Sequence, residues 1–402
     1  MQAKDIEKLV IYRDDLKAGI LQRTSTGCIF HFDPQFLSSP RFQWLTLRMK
    51  KSHQPVSITG SNLHPFFAGL LPEGRRLNTL QKILKTSADD MFSLFAAAGN
   101  NVIGDVHCQT GIKTENAYES PPLKKIDFYE YFNDLLSRNS YQLGEDSIAG
   151  VQEKISASMI SFPLNIARAR NAYILKLNPE DKPDLVQNEL HCMELAGKCG
   201  LHVAKVKLVR DRSGNLGLLV QRFDRDYDET LNKSVMHHQE DACQFLDKFP
   251  AEKYRISLND IAAGICALSS ASSVMLLKLL QLYCFSYLLG NGDLHAKNIS
   301  LMVRHGSCLV ELTPAYDLIC TLIYGDHQMA LKIDGRDDNI KRATILDFAK
   351  RFNLPGPAAQ NMLNKLLKNF SSHCAILEKM PMIARQRALL QKTIEKRLSD
   401  LA

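Results

Sequence analysis

A long apolar run that stops at a polar loop constrains the fold of this chain more than any other feature. Leu276–Leu289 is apolar almost throughout, although Lys278 and Gln281 interrupt it. The run is shorter than the roughly 20 residues that a membrane-spanning helix needs. We therefore predict a buried core helix and no membrane span. Such a helix would hold the loop that follows it on a rigid base.

The loop after this helix carries polar side chains at a spacing typical of phosphoryl transfer. Asp293 is followed five residues later by Asn298 and nineteen residues after that by Asp317. In enzymes with this arrangement the first Asp orients a hydroxyl nucleophile, and the Asn and second Asp hold Mg²⁺ against nucleotide phosphates. We interpret Asp293 as the catalytic base and Asn298 and Asp317 as metal ligands. The alternative, a solvated polar loop, gives no reason for this spacing.

The composition is that of an ordinary globular protein with two or three domains. The chain has 402 residues, of which 45% are hydrophobic and 23% are charged, and its first residues lack the apolar run of a secretory signal. Its ten cysteines include no Cys-x-x-Cys pair, so we expect reduced thiols in the cytoplasm rather than disulfides or a zinc site. His237, His238 and His373 lack ligand spacing and are expected at the surface or in loops. The net charge of +7 suits phosphate-bearing ligands or nucleic acid, and equally a solvated, slightly basic surface.

The predicted elements divide the chain into three parts and a linker. Residues 1–110 form an α+β accessory subdomain, 111–125 a linker, 126–225 a β-rich lobe and 226–402 a mostly helical lobe. We therefore predict an α+β fold, namely a bilobed protein-kinase-like unit with an N-terminal accessory subdomain. The predicted strands are at 9–12, 28–32, 155–160, 172–177, 204–209, 216–220, 300–303 and 309–312. The predicted helices outside the apolar run are at 75–84, 88–98 (with Ser87 as N-cap), 128–136 and 185–198.

Lys176 is a candidate phosphate ligand because of the strand around it. Its neighbours in the strand 172–177 are largely apolar, and an unpaired ammonium in such surroundings would be costly. Nucleotide phosphates and Glu189, on the helix that follows, would compensate its charge. An edge-strand lysine that reaches solvent is the alternative.

Two further segments are candidates for nucleotide contacts. Ala149 and Gly150 fall in a loop where backbone N–H groups could approach phosphates, although it is neither a Walker A loop nor Gly-x-Gly-x-x-Gly, and a plain turn stays open. Val220–Arg225 ends the last strand of the β-rich lobe. There a kinase hinge would bind adenine through backbone groups, with Phe223 packed on the ring. An ordinary strand end is the alternative.

Several motifs, in one order along the chain, resemble those of the HipA-like serine/threonine kinases, the toxins of bacterial toxin–antitoxin modules. The resemblance implies that Asp293 is the catalytic base, that Asn298 and Asp317 bind Mg²⁺, and that Lys176, paired with Glu189, binds the ATP phosphates. The motifs that carry it are Phe66–Gly74, Ser147–Lys154, Ile174–Leu177, Asn188–Glu189, Gln221–Arg225, Gln239–Gln244, Gly292–Asn298 and Pro314–Asp317.

The same resemblance assigns further residues to the site. Ser147 matches the serine that family members autophosphorylate. The other residues expected to contact ATP are Ala149, Gly150, Val151, Gln152, Glu153, Lys154, Gln221, Arg222, Phe223, His295, Lys297 and Tyr316.

The resemblance also implies partners, while rival functions stay open. It implies a translation-linked protein substrate of the aminoacyl-tRNA synthetase type and a HipB-like DNA-binding antitoxin. Contact with operator DNA would be indirect, with Lys332–Arg336 as a candidate segment. Gln221 stands where the family has an acidic residue, which leaves its side-chain contact with adenine open. Leu294 stands where the family has a small residue, and this makes the loop resemble that of small-molecule phosphotransferases of the antibiotic-modifying kind, which stay a rival. A non-catalytic co-repressor subunit is the other rival, against which the intact Asp293, Asn298 and Asp317 argue.

Overall fold

Among the described residues, most of the strands lie before residue 242, and helices predominate after it. The structure, a computed structural model, describes residues 5–60, 63–99, 102–109, 121–138, 159–164, 171–269 and 271–402. The strands are β1 (Lys8–Arg13), β2 (Leu16–Arg23), β3 (Gly27–Phe32), β4 (Val56–Thr59), β5 (Val106–Gln109), β6 (Ile160–Leu164), β7 (Tyr173–Leu177), β8 (Val206–Arg210), β9 (Leu216–Gln221), β10 (Arg225–Asp228), β11 (Lys233–Met236), β12 (His238–Asp241), β13 (Ser300–Val303) and β14 (Val310–Leu312). The helices are α1 (Pro34–Ser38), α2 (Pro65–Gly69), α3 (Gly74–Leu84), α4 (Met91–Ala98), α5 (Phe128–Arg138), α6 (Leu185–Lys198), α7 (Ala242–Phe245), α8 (Leu258–Leu268), α9 (Ser272–Leu289), α10 (Arg342–Arg351), α11 (Gly356–His373) and α12 (Ala384–Leu401).

The N-terminal module (residues 5–109) is built on a five-stranded antiparallel sheet in the order β4-β3-β2-β1-β5. Leu9 and Ile11 of β1 are fully buried because alternate side chains of a strand point to the same face. Phe67 of α2 and Phe95 of α4 belong to the same core. Asp90 caps α4, its carboxylate accepting the N–H of Ser93, so the prediction of Ser87 as the cap is wrong.

The β-rich lobe predicted at residues 126–225, called the small lobe from here on, contains a four-stranded antiparallel sheet in the order β6-β7-β9-β8. The helical lobe at 226–402 is called the large lobe. The helix predicted at 185–198 is confirmed as α6, and β7 lies in the interior of the sheet, which excludes the edge-strand interpretation of Lys176. The sequence Asp211–Asn215 is typical of a hairpin turn, and Asp211 closes this β8–β9 turn by accepting the N–H groups of Ser213 and Asn215. The strand predicted at 155–160 falls largely outside the described residues, which exclude 151–158, and β6 begins at its last position, Ile160.

Three strands follow the small lobe where the sequence predicted mainly helix. β10 and β11 form a hairpin, and β12 pairs with β13, which in turn pairs with β14. All four residues of β12 are polar and all are buried. The apolar–polar alternation that marks a half-exposed strand is therefore missing, which explains why the prediction failed here.

The predicted core helix is α9, and it forms the centre of the large lobe. It packs against α8, α11 and α12, and Phe285 and Leu289 are fully buried. By length and composition this helix could cross a membrane, yet 67% of it is buried inside the fold, as expected of a core helix. All ten cysteines are free thiols, and seven of them are buried.

His238, the first residue of β12, joins this strand to the N-terminal module. Both His237 and His238 are buried, so the prediction that they lie at the surface is wrong. Its Nδ1 is 2.6 Å from Asp105 and its Nε2 is 2.7 Å from Glu240. Because both ring nitrogens face carboxylates, both carry protons and the ring is an imidazolium. Burial acts to lower the pKa of His238, but the charge of Asp105 outweighs it and the pKa is raised.

This imidazolium makes stability depend on pH. A histidine with a raised folded pKa contributes stability that is complete below its unfolded pKa of about 6.5 and is lost as pH rises through the folded pKa. In urea unfolding between about pH 6 and about pH 9, we expect the wild-type free energy of unfolding to fall by up to ~1.4 kcal/mol per pH unit within that window. The His238→Asn variant should show a flatter profile.

The exposed His53 provides a matched control, because His53→Asn should keep the wild-type slope. If all three proteins showed the same dependence on pH, the charged state assigned to His238 would be wrong.

Candidate active site

The ammonium of Lys176 lies between carboxylates from different lobes. Its Nζ is 2.7 and 2.8 Å from the two oxygens of Glu189 on α6, and 2.7 Å from Oδ1 of Asp317. The side chain of Glu189 is 1% exposed and that of Lys176 is 13% exposed. Because loss of Lys176 would leave two carboxylates without their shared cation, the three groups hold β7, α6 and the Asp317 segment together.

Burial and mutual charge set the protonation of these three groups. Burial acts to lower the pKa of Lys176, but Asp317 and Glu189 outweigh it and raise the pKa above its ordinary value. Burial acts to raise the pKa of Asp317, yet Lys176 keeps that pKa below its usual range. Burial raises the pKa of Glu189 to about 7 against the opposing charge of Lys176. Lys176 and Asp317 are therefore charged at neutral pH, and Glu189 is the group nearest to titration.

Asp317 is held in an uncommon backbone conformation beside Asn298. Its φ of +58° lies in the left-handed region, which few residues other than glycine adopt and which is often found at functional sites. The segment before it is fixed because the Ala315 N–H donates to the His202 carbonyl and the Tyr316 hydroxyl donates to the Lys297 carbonyl. The Nδ2 of Asn298 donates to Oδ2 of Asp317 at 3.0 Å. The structure thus brings the two predicted metal ligands together.

Asp293 lies in the loop that α9 presents. Gly290 ends the helix with a φ of +79°, and the Asn291 side chain accepts the Asp293 N–H. The carboxylate of Asp293 is buried and accepts a hydrogen bond of 3.0 Å from the Tyr254 hydroxyl. Burial and the charge of Asp293 raise the pKa of Tyr254, which therefore stays a donor. The Tyr254 ring meets His295 edge-on, with centroids 5.1 Å apart.

One cavity between the lobes collects most of the predicted ligand-binding residues. Its volume of about 330 Å³ suits a small molecule. Among the described residues, Asp293 is not in its wall and connects to it through Tyr254 and His295. Ser147 and Ala149–Lys154 lie outside the described residues. The predicted residues that line the cavity are Lys176, Glu189, Gln221, Arg222, Phe223, His295, Lys297, Asn298, Tyr316 and Asp317.

In the hinge segment (Val220–Arg225), fewer hydrogen-bonding groups are available to a ligand than the sequence predicted. The N–H groups of Gln221 and Arg222 donate to backbone carbonyls of the small lobe. The Arg222 guanidinium is held by the carboxylate of Asp224 at 2.6 and 2.9 Å. The Phe223 N–H donates to none of the described residues, and the Phe223 ring lies 5.7 Å from that of Tyr316. The backbone donor of Phe223 is thus unused among the described residues.

Lys297 connects the catalytic loop to the N-terminal module, which sequence reasoning missed. Its ammonium donates to the Gly69 carbonyl at 2.9 Å and to Asp241 at 2.5 Å. Burial acts to lower the pKa of Lys297, but the charges of Asp241 and Glu73 outweigh it and raise the pKa. Glu73 also pairs with Lys253 at 2.7 Å. The motifs around Gly69 and Asp241 were predicted only as features shared with the HipA-like kinases. In the structure they form one wall of the cavity.

Asp317 and Asn298 offer oxygen atoms suited to a hard divalent cation. Mg²⁺ usually takes one or two carboxylates, with water and phosphates as its other ligands. As placed, Oδ1 of Asn298 accepts the His295 N–H while Nδ2 faces Asp317, so a bound cation would replace the hydrogen bond between Asn298 and Asp317. The described ranges contain no group of three His, Cys, Asp or Glu side chains that could hold a metal by themselves. Ligands from a bound molecule would have to complete such a site.

Comparison with known proteins decides the family. The family model of the HipA-like C-terminal domain matches residues 146–374, and that of the HipA N-terminal domain matches residues 9–109. The chain belongs to the HipA-like family. The resemblance found in the sequence motifs is thereby confirmed.

Individual relatives agree with this assignment to the HipA-like family. The protein Y4mE of Sinorhizobium fredii is 30% identical over 328 residues, which cover 76% of each chain. The serine/threonine-protein kinase toxin HipA of Shewanella oneidensis is 28% identical over 307 residues, or 71% of this chain and 70% of the relative. A solved complex of Shewanella oneidensis HipA with HipB and operator DNA matches with a TM-score of 0.73 at 21% identity, covering 98% of this chain and 96% of that one. The predicted α+β, kinase-like fold is therefore confirmed.

The HipA-like chain leaves no room for a side chain at Gly69. A Cβ there would lie 2.4 Å from Cγ of Gln244. Gln244 cannot move aside cheaply, because its side chain donates to the Phe66 carbonyl and accepts the Asp241 N–H. We expect Gly69→Ala to lower the free energy of unfolding by ~1–3 kcal/mol, measured by urea unfolding.

Gly197→Ala is the matched control, since a Cβ in α6 would meet only Val203, at 3.7 Å. That variant should be neutral or more stable by up to ~1 kcal/mol, because alanine favours helix. A Gly69→Ala protein as stable as wild type would contradict the close packing of this wall.

Proposed function

We propose that this chain is an ATP- and Mg²⁺-dependent protein serine/threonine kinase that acts in the cytoplasm as the toxin of a toxin–antitoxin module. The observation that carries the proposal is the buried Lys176–Glu189 pair in contact with Asp317. Protein kinases require such a lysine–glutamate pair on the small lobe together with a metal-binding Asp. The name of the Shewanella oneidensis relative, a serine/threonine-protein kinase toxin, supports the same activity.

Each group would have a separate task in phosphoryl transfer. Lys176 would bind the nucleotide phosphates, and Asn298 and Asp317 would hold Mg²⁺, which neutralises phosphate charge. Asp293 would orient the hydroxyl of the acceptor serine and take its proton. The hydrogen bond from Tyr254 fixes the Asp293 carboxylate for that task. We also propose autophosphorylation at Ser147, and phosphate contacts by the loop Ala149–Lys154, on the strength of the motif.

The proposed substrate and partners rest on the family. We propose a translation-linked protein substrate of the aminoacyl-tRNA synthetase type and a HipB-like antitoxin, which the solved HipA–HipB–operator complex of the relative supports. Direct operator contact at Lys332–Arg336 has little electrostatic support, because Lys332 pairs with Asp337 at 3.2 Å and Asp334 pairs with Arg351 at 2.8 Å. Contact with DNA is therefore proposed as indirect, through the antitoxin.

Intact-mass spectrometry after phosphatase treatment and incubation with ATP and Mg²⁺ tests catalysis and autophosphorylation together. We expect wild type to gain the mass of a phosphate. The Asp293→Asn variant should gain it at least ~100-fold more slowly, because a positioned base contributes about 10²–10⁴-fold to the rate. Asp226→Asn, at a carboxylate that is 53% exposed, should match wild type.

Transfer of labelled phosphate in a lysate separates the rival functions. Ser147→Ala should gain no phosphate itself yet still label a protein. Labelling of low-molecular-weight acceptors instead would favour a small-molecule phosphotransferase. Growth inhibition that is unchanged by Asp293→Asn, with no transfer at all, would favour the co-repressor and contradict the kinase.

A further inference from the structure

Arg76 is a cation of the cavity wall that pairs with no carboxylate among the described residues. Three of the four Lys and Arg side chains that line the cavity have such partners. Lys176 pairs with Glu189 and Asp317. Arg222 pairs with Asp224, and Lys297 pairs with Asp241. Arg76, which is partly buried, is the fourth.

The position of α3 brings this charge from the N-terminal module to the cavity. Glu73 caps α3 and Arg76 lies three residues later, so both fall on one face of the helix, and both line the cavity. The helix packs on β6, the edge strand of the described small-lobe sheet. Lys253 fixes the start of the helix through Glu73. Arg76 is therefore presented by a helix that is anchored to both lobes.

No carboxylate of the described residues compensates the charge of Arg76. Burial and the nearby charge of Arg222 lower the pKa of Arg76 to about 10, so its guanidinium is still protonated at neutral pH. An unpaired charge that is shielded from water is costly, which favours an anionic ligand as its partner. The planar guanidinium matches the oxygens of a phosphate group in geometry as well as in charge.

We propose that Arg76 contacts the phosphate chain of the bound nucleotide, so that the N-terminal module contributes a residue to the ATP site. This inference rests on the proposed kinase function. Among the described residues, the cavity is lined by the four cations and by five carboxylates, those of Glu73, Glu189, Asp224, Asp241 and Asp317. A polyanionic nucleotide therefore needs the positive charge that is not already neutralised. An acidic segment of a substrate protein is the other anion that could reach Arg76, and it would leave ATP affinity unaffected.

Calorimetric titration of the full chain with Mg²⁺·ATP and with adenosine tests this contact. Arg76→Gln should weaken ATP binding about tenfold, the effect of losing one charge-assisted hydrogen bond, while adenosine affinity should change less than about twofold because the nucleoside lacks phosphates. Arg76→Lys should fall between wild type and Arg76→Gln. Salt should weaken ATP binding less steeply in Arg76→Gln than in wild type. Arg41→Gln removes a cation of the same module that pairs with Asp14 and Asp15 and is not among the described residues of the cavity wall, so it should bind ATP as wild type does.

The outcomes distinguish this inference from the proposed function. Unchanged ATP affinity in Arg76→Gln, with wild type binding ATP, would overturn the inference alone and point to the substrate protein. An equal loss of ATP and adenosine affinity would also overturn it, because the variant would then have damaged the fold or the adenine end. Wild-type protein that binds neither ligand would overturn the proposed function and the inference with it.

Discussion

The ammonium group of Lys176 links the two lobes of this protein at the cavity. It comes from β7 and touches Glu189 of the small lobe and Asp317 of the large lobe, all at 2.7–2.8 Å. Loss of Lys176 alone would leave both carboxylates without their shared cation, whereas loss of either carboxylate would leave the ammonium with one partner. The left-handed backbone of Asp317 is tolerated at the same point, so structural strain and charge are concentrated in one place.

The N-terminal module is fixed to the kinase lobes by polar contacts rather than by a linker alone. Lys297 holds the Gly69 carbonyl, His238 faces Asp105, and Arg225 donates to the carbonyl of Gly104 at 2.7 Å. These contacts involve the catalytic loop, β12 and the hinge, which are the parts that surround the cavity. The module is therefore in a position to influence the site, and Arg76 is the residue through which we expect it to do so.

Local patterns in the sequence were enough for the elements that carry the site. The apolar run marked α9, the strand around Lys176 and the helix around Glu189 were in the right order, and the β8–β9 turn was recognised from its polar residues. Contacts between distant segments leave no such pattern. Lys297 and Gly69 are 228 residues apart, and β12 is buried although it has no apolar residue. For the same reason the hydrogen bond from Tyr254 to Asp293 could not be predicted, because no local sequence pattern relates the two residues.

We propose that Asp317, which contacts Lys176 in this structure, is a ligand of the Mg²⁺ ion that accompanies a bound nucleotide. The most direct test is the effect of Mg²⁺ on ATP affinity, measured by calorimetry for wild type and for the isosteric Asp317→Asn variant. We expect Mg²⁺ to strengthen ATP binding to the wild-type protein. The Asp317→Asn variant should lose this enhancement, because it lacks a carboxylate ligand. An Asp317→Asn protein that keeps the full Mg²⁺ enhancement would contradict the account.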